Sequence, residues 1–388
     1  MRELERRYDI DWLRVLAVLA LIPFHTARIF DIWEPFYAKS DRVSAAMTHI
    51  LIGGINSWHM PLFFLLAGAS TWFALGFRSG GQYVKERLKR LIVPLLFGTL
   101  VIVAPQTYFG ALTYGEFEGS FFQYYPRFFQ IGATGDLSGY MGGFTPGHLW
   151  FILFLFLISL MVLPLLLYFR RESGQRLLGR LAAFFSRPGM IFLWAIPLIV
   201  TLPLPDIGGK NLIYYLVLFV YGYILMADAR FGEVLDRCKV PALVLGLGLL
   251  MTVIGIMASG VDISGVLELL LGLCYKGIIT WLLLIAFLGF GRKVLNFTNK
   301  ALKYASEAAY PFYILHQTVV VFVGYYVVQW NIGVWPQFLV ISVASVLAIL
   351  LVYEVLVRRT GVTRFLFGMK PKRRERRRRL PHAVRQET

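Results

Sequence analysis

Apolar runs long enough to cross a lipid bilayer recur along almost the whole chain. From His148 the sequence reads "HLWFILFLFLISLMVLPLLL", twenty residues with no charge after the histidine. About twenty helical residues span the ~30 Å of a hydrocarbon core. No water is available there to satisfy the backbone, so only helices or a closed barrel can cross. Barrel strands alternate polar and apolar residues, whereas these runs are continuous. The chain is 57% hydrophobic and its mean hydropathy is +0.64. The expected fold class is all-α, a polytopic membrane bundle of about ten transmembrane helices. They fall roughly at 10–30, 49–76, 91–109, 147–169, 189–204, 211–227, 240–259, 265–290, 306–328 and 336–357. The fifth, with "IPLIVTLPLP", is short and proline-rich. Residues 1–357 form one membrane-embedded domain, and 358–388 form a basic cytoplasmic tail read as disordered.

The net charge of +17 resembles a nucleic-acid signal until it is mapped. Twelve of the 39 Lys and Arg lie from Arg358 onward. With the N-terminus inside, four cytoplasmic loops hold seventeen Lys/Arg and five outer loops hold four. That bias predicts N-in and C-in. The tail motif "KPKRRERRRR" then faces anionic lipid headgroups, and no nucleic-acid partner is expected. Cys238 falls in a cytoplasmic loop and Cys274 in a helix, so no disulfide framework is implied. No A-x-A-like site follows the first apolar run, which is read as a retained helix.

Ionisable residues inside a bundle are costly and by default mark functional sites. The stretch "RVLAVLALIPFH" carries one at each end, Arg14 and His25. Eleven residues place them within about 20° on the helical wheel and about 16 Å apart along the axis. Arg14 lies near the cytoplasmic end, where it also suits a snorkelling arginine. His25 lies in the outer half, where a neutral imidazole can take a proton near physiological pH or serve as a hydrogen-bonded structural histidine. His59 in "SWHMPLFFLLAG", His148 in "TPGHLWF" and His316 in "YPFYILHQTVV" lie at middle to outer depths. None shows a His-x-x-x-His or Glu-x-x-His spacing, so no metal is expected.

The inner face has its own cluster. "YVKERLKRLIVP" stacks Lys85, Arg87, Lys89 and Arg90 at the mouth of the third helix. It reads either as positive-inside anchoring or as a phosphate site, since arginine pairs bidentately with phosphate and helix N-termini favour anions. Glu268 and Lys276 fall within about 80° on the eighth helix and receive no role. The long outer segment 110–146, rich in Gly, Tyr and Phe, reads as a partly ordered lid or a surface aromatic belt.

Five of these motifs in order resemble the acyltransferase-3 family of integral-membrane acyltransferases: "DWLRVLAVLALIPFH", "HMPLFFLLAG", "RLKRLIVP", "HLWFI" and "YPFYILHQTVV". The resemblance covers residues 8 to about 357, and the length and the "IPFH" segment are similar to the branch that succinylates periplasmic glucans. The third motif is leaner in arginine than is usual for the family. The resemblance implies transfer of an acyl group from cytoplasmic acyl-CoA (acetyl-CoA or succinyl-CoA) to a hydroxyl of an extracytoplasmic glycan. The donor is a substrate, and no bound cofactor is implied. His25 would be the catalytic base. Arg14, Arg87, Lys89 and Arg90 would hold the donor phosphates. His148 and Trp150 would bind the acceptor, with His59 and His316 in support. The location implied is the inner membrane.

Buried Arg and His also suit a proton-coupled transporter or a lipid-linked sugar flippase. Such folds often contain internal repeats, and no repeat relates the two halves of this sequence.

Overall fold

The computed structural model describes residues 6–130, 137, 139–140, 143–261 and 263–371. Among them the regular secondary structure is helical, with one isolated bridge between Ile207 and Lys210. In chain order the helices are α1 (Tyr8–Arg28), α2 (Met47–Gly76) and α3 (Gly80–Thr113), α4 (Phe121–Phe128), α5 (Gly147–Met161), α6 (Leu163–Phe169), α7 (Glu172–Phe185) and α8 (Met190–Thr201). There follow α9 (Leu212–Leu225), α10 (Ala229–Ala258) and α11 (Val266–Val294), α12 (Lys300–Val327), α13 (Val334–Val357) and α14 (Gly361–Leu366). Six helices among the described residues are long and apolar enough to cross a membrane, or eight if two bent pairs each count as one span. The pairs α5/α6 and α7/α8 bend by 51° and 120°.

Several boundaries differ from those the sequence predicts: α10 begins at Ala229 rather than near 240, so Cys238 lies in a helix and not a loop, and two others shift for a clear local reason. The third helix begins at Gly80 rather than near residue 91. Ser79 caps it: Gln82 N–H donates to Ser79 Oγ at 3.3 Å, and Ser79 N–H donates to Gln82 Oε1 at 3.0 Å. That reciprocal box satisfies two orphan donors, so the basic cluster lies inside the helix rather than at a loop mouth. The expected fifth helix is instead the short arm of a bend: Gly189, at φ +79°, turns the chain after α7, and α8 is left with twelve residues. The segment 110–146 is not structureless either, since it contains α4, started by a second box between Ser120 and Gln123.

The tightest seam joins α2 to α9. A Cβ on Gly68 would stand 1.8 Å from the Phe219 carbonyl oxygen, and one on Gly222 would stand 1.8 Å from that of Leu65. Small residues let membrane helices meet backbone to backbone. α12 runs through the interior against α1, α3 and α13. Its middle, from Ala308 to Gln317, is buried apart from Tyr310. Within the segment assigned to the tail, α14 packs. Its Arg364 is 6% exposed, donates to Glu307 Oε1 at 2.8 Å and also caps the Lys370 carbonyl at 2.8 Å. The run from Lys372 lies outside the described residues.

Candidate active site

Two polar centres occupy the interior, and α1 and α2 carry part of each. The first is cationic. Arg14 Nη2 donates to Ser70 Oγ at 2.7 Å, and its Nη1 donates to Asp11 Oδ1 at 3.2 Å. Arg87 Nη2 donates to Thr71 Oγ1 at 2.9 Å and its guanidinium lies over the Tyr83 ring at 4.7 Å. Both hydroxyls also donate to carbonyls one turn back, Leu66 and Ala67, and so are fixed in direction. Arg90 reaches Glu86 at 3.3 Å and the Gly368 carbonyl at 3.1 Å, while Tyr310 donates to the Arg90 carbonyl at 2.9 Å. Arg14 and Arg87 are thus tied to consecutive residues of α2, while Arg90 is held by Glu86 and the Gly368 carbonyl. Lys89 does not join them: it is exposed, as is Lys85.

The second centre is a chain of imidazoles. His25 and His316 stand with ring centroids 5.0 Å apart, and His316 and His148 also at 5.0 Å, edge to face. His59 joins through Phe24, whose ring lies 5.0 Å from His25 and 6.1 Å from His59. All four are 8% exposed or less. Pro23 precedes His25 in α1 and Pro61 follows His59 in α2; each removes a backbone donor near its histidine.

Hydrogen bonds set the tautomers. Gln317 Nε2 donates to Gln106 Oε1 at 2.9 Å, so Gln106 Nε2 must be the donor to Thr318 Oγ1 at 2.6 Å and to His148 Nδ1 at 3.2 Å. His148 then carries its proton on Nε2 and gives it to the Ile314 carbonyl at 2.9 Å. His59 Nε2 donates to the Ala17 carbonyl at 2.9 Å. His316 Nδ1 lies 2.5 Å from the Tyr313 carbonyl, which can only accept, so Nδ1 holds the proton and Nε2 the lone pair. Within this chain of rings two buried nitrogens have no hydrogen-bond partner, His25 Nδ1 and His316 Nε2; His49 Nδ1, which is outside the chain, also lacks one. Buried polar groups are paired in the great majority of cases, so two orphans on touching rings mark a place for chemistry.

The centres are separated by the same interval on two neighbouring spans. Arg14 precedes His25 by eleven residues on α1, and His59 precedes Ser70 by eleven on α2, about 16 Å along each axis. Above His25 the chain folds back. Phe36 stacks on the His25 ring at 5.9 Å and is fully buried. The turn is held by Arg28, which bonds Asp31 and Glu34 at 2.6 Å each.

One further expected role meets the structure differently, and two residues left without a role can now be placed. Trp150 is 9% exposed and packed among Tyr215, Phe154 and Phe64, with Lys210 at 5.8 Å from its ring centre, so neither indole face is open for stacking. Glu268 and Lys276 are exposed and line neither centre. Sequence reasoning passed over Ser70, Thr71, Gln106, Tyr313 and Gln317. Their signal was available, since each is a polar side chain within an apolar helix. His49, with no role assigned, meets the Trp33 ring at 4.7 Å. Cys238 and Cys274 are free, and no group of three metal-ligand side chains occurs among the described residues.

A multi-pass helical bundle with a buried histidine chain and a separate arginine cluster defines a membrane-embedded protein with an enzyme-like interior. An acyltransferase domain family matches residues 7–354, so the chain belongs to the acyltransferase-3 family and is a membrane acyltransferase. It is 23% identical over 389 residues to glucans biosynthesis protein C of Escherichia coli O6:K15:H31, covering 95% of both chains. It is 23% identical over 387 residues to the protein of the same name from Salmonella paratyphi A, covering 94% of this chain and 95% of that one. No solved structure matches.

Proposed function

We propose that the chain moves an acyl group from cytoplasmic acyl-CoA to a hydroxyl of an extracytoplasmic, glucan-type carbohydrate. One observation carries this reading: a guanidinium cluster and an imidazole chain, about 16 Å apart on shared helices. A donor with a phosphorylated head and a long thioester arm fits that interval. Arg14, Arg87 and Arg90 hold the phosphates, and Lys89, exposed on the same helix, adds only to the surrounding positive field. The extended arm carries the thioester towards His25. The relatives named for glucans biosynthesis supply the acceptor class.

In the reaction His25 takes the proton of the acceptor hydroxyl. The oxygen bonds to the thioester carbonyl carbon, the carbon–sulfur bond breaks, and the thiolate leaves with its electron pair. The proton from His25 then goes to sulfur, giving free CoA thiol. General base work of this kind contributes about 10²–10⁴-fold. The loop charges favour N-in and C-in, with α9, α12 and the two bent pairs bringing the six long spans to ten crossings in a bacterial inner membrane.

The test uses purified protein in nanodiscs with radiolabelled succinyl-CoA or acetyl-CoA and a glucan. Thioester loss and label transfer are followed for wild type, His25→Ala and Arg14→Ala. Turnover that is lost in His25→Ala, with weaker donor binding in Arg14→Ala, supports the proposal. A wild type that neither binds nor cleaves either donor refutes it and favours a transporter.

A further inference from the structure

A histidine that takes a proton on one ring nitrogen needs the other held by a neighbour, which fixes tautomer and orientation. This inference therefore rests on the reading of His25 as the base. The common holder is a carboxylate, but the nearest along the chain, Asp31 and Glu34, are both bonded to Arg28. His148 has both nitrogens engaged, by Gln106 and by the Ile314 carbonyl. The ring of His59 is tied to the Ala17 carbonyl. One neighbouring ring remains. His316 has its Nδ1–H committed to the Tyr313 carbonyl, which leaves a buried, unpartnered lone pair on Nε2 at a ring 5.0 Å from His25.

We propose that His316 is the positioning residue of His25. Its Nε2 accepts the Nδ1–H of His25, leaving the lone pair of His25 Nε2 for the acceptor hydroxyl. Hydrogen bonds then run in one direction, from hydroxyl to His25, from His25 to His316, and from His316 to the Tyr313 carbonyl. The two rings are tilted by 46°, so forming the central bond takes a ring rotation. Catalytic hydrogen bonds are often loose before substrate binds. The anchor is itself held: Tyr313 OH donates to the His148 carbonyl, and His148 packs edge-on against His316. A neutral imidazole thus occupies the place where a carboxylate would stabilise the protonated base, and the base stays weaker for it.

The experiment measures kcat against pH, with donor affinity as a separate readout, for His316→Gln, His316→Glu and His316→Leu. Glutamine offers an acceptor oxygen and should retain activity within about tenfold, whereas leucine offers none and should lose about 10²-fold at unchanged donor affinity. Glutamate should move the acid limb of the profile to higher pH by about one unit, because a carboxylate favours the protonated imidazole. Leucine within about threefold of wild type, or a glutamate profile with the wild-type acid limb, overturns the inference. If leucine fails to fold, the glutamine and glutamate profiles decide alone. A wild type without turnover sinks the proposed function. An active wild type with inactive His25→Ala and an indifferent His316 sinks only this inference.

Discussion

Arg14 and Arg87, on different helices, end on neighbouring hydroxyls of a third: Ser70 receives one at 2.7 Å and Thr71 the other at 2.9 Å. Two guanidiniums from different helices are thereby tied to consecutive residues of α2. Each hydroxyl is anchored to its own backbone, so the pair is aimed before any anion arrives. Pre-organised donors lose less on binding.

Loss of that aim should weaken donor binding without stopping chemistry. A hydrogen bond to a charged group is worth about 1.5–3 kcal/mol. Ser70→Ala and Thr71→Val should each raise the donor Kd by about tenfold while leaving kcat nearly intact. Equilibrium binding of labelled acyl-CoA checks this, and an unchanged Kd in both would place the phosphates elsewhere.

The glutamine chain behind His148 should matter through orientation. Gln106→Leu removes the donor that fixes the His148 tautomer and leaves Gln317 without its acceptor. An unsatisfied buried polar group costs about 1–3 kcal/mol, so the thermal midpoint should fall together with kcat. Gln106→Glu restores the acceptor for Gln317 but not the donor for His148. It should recover part of the stability and little of the rate.

Acid should loosen the start of α10. Asp228 caps that helix, and its hydrogen bonds from Arg230 hold its carboxyl below the usual carboxylate range. A depressed carboxylate adds stability above its unfolded pKa and loses it as pH falls, here below about pH 4. The drop in thermal midpoint between about pH 6 and pH 3 should therefore be smaller in Asp228→Asn.

Orientation can be read chemically. Ser79 and Gln329 are both exposed, at helix ends that the loop charges assign to opposite faces. In a chain lacking its native cysteines, Gln329→Cys should react with an impermeant maleimide in intact inverted-free cells, and Ser79→Cys only after permeabilisation. The reverse pattern would invert the topology and separate the arginine cluster from cytoplasmic donor.

The sequence made α1 legible as a whole because one apolar run of helical length carries Arg14 and His25 at its ends, although a turn at Ala20 interrupts the helix between them. The convergence of His148, His316 and His25 was not legible in the same way, since it depends on the crossing of α5, α12 and α1, and no spacing within one helix encodes that. The start of α3 was readable in Ser79 and Gln82 but was masked by the charges that follow, which mimic a loop. Trp150 failed as an open platform because an indole at a helix start looks the same in sequence whether its faces meet solvent or Tyr215.

Gly68 against the Phe219 carbonyl and Gly222 against that of Leu65 leave no gap into which either helix could slide. Replacing either glycine with alanine should destabilise the bundle by about 1–3 kcal/mol or more. The larger meaning is kinetic. On the proposed function, a donor headgroup at one membrane face and a glycan at the other must each enter and leave in every cycle, so some part of the bundle has to yield. α2 and α9 are locked and must travel as one rigid frame, and α2 carries both Ser70 and His59. On that reading the breathing of the enzyme would fall to partners that close against this frame, α1 and α3 among them, and turnover would follow how readily they part from it.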